Sequence, residues 1–118
     1  GTWTNASSRE YKENIRELSL NKAMEAFNGL KPVEFNYKAD REERHTGFIA
    51  EDVPELVATK DRKGLSPMDI VAVLTKVMQE QQKASRQQQE SIEMLSKKVD
   101  DLERELRLKG AIAKVGME

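Results

Sequence analysis

A heptad that holds one register from Val71 to Leu106 constrains this chain more than any other feature. Val71, Met78, Ile92, Val99 and Leu106 fall at position a and Leu74, Leu95 and Leu102 at position d, while Gln81, Ser85 and Gln88 take the remaining seam positions. Ser66, Pro67 and Asp69 supply the start of this helix. They offer a hydroxyl able to cap free amides, a proline where a missing N–H is no loss, and a carboxylate near the positive end of the dipole. The expectation is one helix over 66–108, roughly 60 Å long at about 1.5 Å per residue. The 65 residues before it cannot cover such a stripe, so its apolar face calls for further copies of the chain. Lys98 at g and Glu103 at e stand at the spacing that pairs opposite charges between parallel neighbours. β-Branched residues at a with Leu at d lean towards two strands, whereas Ile70 and Val77 at g and the polar middle layers widen the contact face. On the heptads alone, dimer and trimer both stand.

The rest of the chain has little to bury. Of 118 residues, 37% are hydrophobic, 5% aromatic and 35% charged, a balance that predicts a small core stabilised by assembly. A formal charge of −1, with acidic and basic residues interleaved, creates no field for nucleic acid or anionic lipid. The absence of cysteine excludes disulfides and thiolate metal sites, and His45, the one histidine, cannot build a multi-histidine site. No cofactor, metal, nucleic acid or membrane partner is expected. The chain reads as the C-terminal piece of a larger protein, with residues 1–6 as a junction from an upstream domain.

Before the heptad, 7–65 reads as a small head. Arg9 to Leu18 is charged, with Tyr11, Ile15 and Leu18 lining either a helical turn or an extended segment. Ser19 is expected to cap a helix through Phe27 that presents Leu20, Ala23, Met24 and Phe27 on one face, with Gly29 and Pro32 stopping it. Val33 to Lys38 alternates at period two and predicts a strand with Val33, Phe35 and Tyr37 inward. Ala39 to Arg44 reads as a solvated loop and Thr46 to Ala50 as the returning strand. Glu51 to Val57 reads as a short helical turn, and Ala58 to Gly64 as a charged connector. Gly110 and Gly116 mark 109–118 as a flexible tail. His45 is read as structural, Gly47 as a site of close backbone approach, and Glu51, Asp52 and Glu55 as a charged turn. The expected class is α+β, mostly α: a head of short helices with a β-hairpin, then a long helix forming a parallel coiled coil.

Three segments in order, Ser7-Ser8-Arg9-Glu10-Tyr11-Lys12-Glu13-Asn14-Ile15, then Leu30 to Lys38, then His45 to Val53, resemble the successive motifs of the endosialidase-type C-terminal intramolecular chaperone. This domain ends phage tailspikes and tail fibres, related bacterial surface proteins and the animal myelin regulatory factor. The resemblance implies a homotrimer that registers an upstream fibre domain of the same polypeptide and helps it fold. It also implies phage virion assembly in a host cytoplasm, or a phage-derived or surface fibre, as the setting. Many members then cut themselves free with a serine and a lysine five residues later. Carried over, these are Ser7 and Lys12, with the scissile bond between Ala6 and Ser7. A serine hydroxyl needs a base to remove its proton, and a lysine acts as one only when neutral.

This sequence departs from the family's cleavage motif at two places: Ser8 stands where Asp usually follows the serine, and Glu10 where a basic or apolar residue is usual. A non-cleaving trimerisation module, a coiled-coil stalk cap in which Ser7 is a linker residue and Lys12 a surface charge, is therefore the alternative reading. A third, a regulator released to bind DNA, calls for a DNA-binding domain and a membrane span that these residues do not contain.

Overall fold

The structure, a computed structural model of the single chain, describes residues 6–117, and for 112–115 and 117 the backbone alone. The predicted junction thus lies, except for Ala6, outside the described residues. Two compact units divide the chain, 1–77 and 78–118. The first holds a 3-10 turn (Arg9–Tyr11), helix α1 (Leu20–Gly29), strands β1 (Val33–Tyr37) and β2 (Asp40–Gly47), and two further 3-10 turns (Ala50–Asp52 and Glu55–Val57). It also takes in the opening turns of helix α2 (Pro67–Met117), and the second unit is the remainder of that helix.

Ser19 caps α1 as expected, its hydroxyl accepting the Lys22 N–H at 3.2 Å. The buried face is different from the predicted one. Ala23 and Ala26 are sealed in, whereas Leu20, Met24 and Phe27 remain exposed. Small side chains let α1 approach the rest of the head closely, and the large ones on the neighbouring stripe are left for solvent or for a partner. The core joins Ala26 to Val53, Val57, Ile70 and Val73, with Leu18, Leu30, Phe48, Ala58 and Leu65 packed around it. Ile70, assigned by heptad to the flank of the seam, points into this core, and Val73, at position c and outside the predicted seam, is buried with it. The first turns of α2 therefore carry two apolar stripes. Ile70 and Val73 serve the chain's own head, while Val71 and Leu74 stay exposed.

β1 and β2 form one antiparallel hairpin, pairing Val33 with Gly47 and Phe35 with His45. The segment predicted as a solvated loop, Ala39 to Arg44, is mostly strand: β2 begins at Asp40 and ends at Gly47, so Phe48 to Ala50 do not extend it. A two-stranded ribbon this exposed needs no alternating apolar residues, so charged ones fill β2 without leaving a period-two signal. Register shifts between Asn36 and Tyr37, where Asn36 pairs with Arg44 but Tyr37 with Asp40. The Asn36 side-chain amide fills the irregularity, donating to the Arg41 carbonyl at 3.1 Å and to that of Glu43 at 2.7 Å. Tyr37 is exposed rather than inward. Its ring meets Phe35 edge-on at 5.1 Å and His45 at 5.0 Å, and Phe35 stacks on His45 at 5.8 Å. His45 is thus one member of an aromatic cluster, with Nε2 3.9 Å from the Glu43 carboxylate. Gly47 gives room to a ring rather than to backbone, since a methyl there would stand 3.3 Å from Phe35 Cε1.

The connector before α2 is more built than its charge suggests. Ala58 bridges Leu65, and Thr59 Oγ1 accepts the Gly64 N–H at 3.2 Å. The Asp61 carboxylate accepts the Lys63 N–H at 3.0 Å and the Thr59 hydroxyl at 2.8 Å, which holds its carboxyl below the ordinary carboxylate value. Arg62 sits at φ 54°, and its guanidinium donates to the carbonyls of Val53 and Glu51, bonds that offset the left-handed backbone.

α2 continues past Leu108 to Met117, where a flexible tail was expected. Once a helix is propagating, each residue adds a hydrogen bond, and an isolated glycine costs only about 1 kcal/mol. Gly110 and Gly116 are therefore tolerated.

At Gly29, the last residue of α1, a methyl group would lie 2.9 Å from Pro54 Cγ, closer than carbon atoms tolerate. Ala normally gains about 1 kcal/mol over Gly in a helix, but overpacking against a ring costs about 1–3 kcal/mol. Gly29→Ala is expected to lower stability by about 1 kcal/mol, read by urea unfolding at fixed chain concentration.

Candidate functional site

Ser7 and Lys12 are brought together by a short fold-back of the chain. Ser8 adopts extended backbone at φ −61°, ψ 146°, and a 3-10 turn over Arg9–Tyr11 follows, closed by Tyr11 N–H to the Ser8 carbonyl and Lys12 N–H to the Arg9 carbonyl, both at 3.1 Å. The Lys12 ammonium consequently donates to Ser7 Oγ at 2.7 Å, within the reach that proton transfer between nucleophile and base requires. When the amine is neutral the same contact runs the other way, with the hydroxyl as donor. Both residues are exposed in the single chain, and Ala6, on the far side of the candidate scissile bond, is exposed as well. The neighbouring Ser8 hydroxyl is engaged within the turn, accepting the Glu10 N–H at 3.3 Å.

The candidate seam lies on α2. In the first unit Val71 and Leu74 are exposed. In the second, Met78, Gln81, Ser85, Gln88, Ile92, Leu95, Val99, Leu102 and Leu106 are all exposed. The five large apolar side chains of the seam from Ile92 to Leu106, all facing water, form a surface that monomers seldom leave open. Glu103, the expected interchain partner of Lys98, has Arg107 at 3.7 Å within its own helix. Both groups are more than half exposed, and such a pair contributes little enough to be exchanged for a partner on another chain.

Sequence reasoning missed Ser8 as the cap of the turn. A serine three residues before Tyr11 with an acidic residue in the first turn was the available signal. Glu51, Asp52 and Glu55 lie in or beside the 3-10 turns of the head, and among the described residues no three His, Cys, Asp or Glu side chains are grouped to hold a metal ion. Among the described residues, too, no helix is long and apolar enough to cross a membrane.

Residues 7–60 match the family model described as the chaperone of endosialidase. This is the family that the three ordered motifs resemble, and the match covers the head and ends within the connector before α2. No curated protein and no solved structure matches the chain.

Proposed function

We propose, on the premise that residues 7–60 form a chaperone-of-endosialidase head, that this chain is a C-terminal intramolecular chaperone acting as a parallel homotrimer on an upstream fibre or tailspike-like domain of the same polypeptide. The observation that carries the reading is the family match over residues 7–60, followed within a few residues by a helix with an uncovered heptad stripe. Three chains that must intertwine face a large entropic barrier to alignment. A C-terminal trimer turns that encounter into an intramolecular event at high effective concentration. A phage-related setting goes with this role.

The 2.7 Å contact between Ser7 and Lys12 supports release by self-cleavage. Lys12, as the neutral amine, takes the Ser7 hydroxyl proton while Oγ attacks the Ala6 carbonyl carbon. The C–N bond breaks, the proton passes to the Ser7 nitrogen, and an ester joins Ala6 to Ser7 Oγ. Water adds to that ester, leaving the Ala6 carboxylate and the Ser7 hydroxyl. A lysine reaches the neutral form when it is desolvated; the pair is exposed in the single chain, and this reading assigns its removal from water to assembly. Cleavage then leaves the fibre held by its unfolding barrier rather than by equilibrium.

The second reading, a non-cleaving trimerisation cap, rests on Glu10, whose carboxylate stands two residues from Lys12. Deleting 7–117 from the parent polypeptide separates a chaperone from a passive stalk. The chaperone reading expects loss of soluble upstream trimer. Correct upstream folding with only weakened association would support the stalk.

A further inference from the structure

We infer that Ser8 is a positioning residue for the Ser7–Lys12 pair, its hydroxyl holding the turn that presents the lysine to the serine. The inference rests on the self-cleavage reading for its kinetic consequence and on geometry alone for its structural one. Five residues of extended chain span roughly 17 Å, yet Nζ and Oγ lie 2.7 Å apart. The Arg9–Tyr11 turn makes the difference. It has no buried residue, and it consists of a single 3-10 turn, a length at which helical structure is marginal in water. Its two backbone hydrogen bonds, both 3.1 Å, are open to solvent. In so sparse an element the side-chain cap from Ser8 Oγ to the Glu10 N–H, 3.3 Å, is a large share of what keeps it closed. The hydrogen bond that engages the Ser8 hydroxyl comes from the Glu10 N–H inside the turn, so Ser8 acts through the turn.

The residue type is therefore replaceable by any good cap. Asp and Asn rank with Ser at this position and Ala does not. Neither Asp nor Asn carries a hydroxyl, so rescue by them also distinguishes a cap from a nucleophile.

The experiment uses the whole chain with a folded reporter joined upstream of Gly1, and follows release of the reporter as a first-order process. Ser8→Ala is expected to slow release about five- to tenfold, the fraction of chains with the turn closed falling by the worth of one cap. Ser8→Asp and Ser8→Asn are expected to restore the rate to within about twofold of the parent. Release from Ser8→Ala at the parent rate, or failure of both Asp and Asn to rescue, overturns the inference.

A readout independent of turnover accompanies it: the nuclear Overhauser effect between the Lys12 ε-protons and the Ser7 β-protons. This is expected in the parent, lost in Ser8→Ala and regained in Ser8→Asp. If the parent chain stays whole, self-cleavage fails as a function, and this signal alone decides the role of Ser8. Its persistence in Ser8→Ala contradicts that role.

Discussion

Ser7→Ala and Lys12→Ala are each expected to leave a fusion with the upstream domain intact under conditions in which the parent splits between Ala6 and Ser7 without added protease. Ser7→Ala removes the proposed nucleophile, the hydroxyl that Lys12 contacts at 2.7 Å, so no product is expected. Lys12→Ala removes the base, a loss of about 10²–10⁴-fold for general base catalysis, which on the timescale of assembly amounts to an uncut chain. Neither change touches the core of Ala26, Val53, Val57, Ile70 and Val73, so both variants are expected to assemble as the parent does. Intact-mass spectrometry reads the cut, and a reaction within the chain gives a rate independent of concentration once trimers have formed. If Ser8→Ala blocks the cut, Ser8→Asp does not restore it, and Ser7→Ala cuts normally, the nucleophile is Ser8 and the assignment is one residue out of register.

Leu95→Asp is expected to abolish stable assembly. Leu95 is exposed in the single chain and occupies a d position between Ile92 and Val99. In a parallel trimer the substitution places three like charges in one buried layer. Leaving even one unpaired charge buried costs about 3–5 kcal/mol. Leu102→Asp acts in the same way one heptad on. The unfolding midpoint of the parent should rise with chain concentration, as mass action requires of an assembled state, and that dependence should vanish in the variant. The head in the variant retains the Ser19 cap and its own core, so a residual hairpin and α1 signal is expected at low temperature.

The readable parts of this protein were those with local chemistry strong enough to act alone. Ser66 and Pro67 start a helix whatever surrounds them, and α2 begins at Pro67. Ser19 caps α1 because a hydroxyl before a helical run satisfies orphan amides locally. Val33, Phe35 and Tyr37 announce β1 through alternation. β2 carried no such signature, because all of it from Asp40 to Arg44 is exposed and only His45 and Gly47 are partly covered, and the Asn36 amide fills an irregularity in its pairing. The choice of Ala23 and Ala26 over Leu20, Met24 and Phe27 as the packed stripe of α1 was equally hidden, since it reflects how closely the head's turns approach. Val73 lies outside the a and d positions and was not singled out because one register had been assigned to the whole helix, whereas its first turns also serve the head. At the candidate site the five-residue spacing came from the family resemblance, but the turn that closes it, and the Ser8 cap, required three dimensions.

The central claim is that this chain brings three copies of itself together in parallel register. Sedimentation equilibrium of the isolated chain at micromolar concentration tests it most directly, with donor and acceptor dyes at position 104, an outward f position, of separately labelled chains reporting orientation. The account predicts a mass three times that of the 13.5 kDa chain and efficient energy transfer between like ends. A monomer, an antiparallel pair or a parallel dimer at that concentration contradicts it.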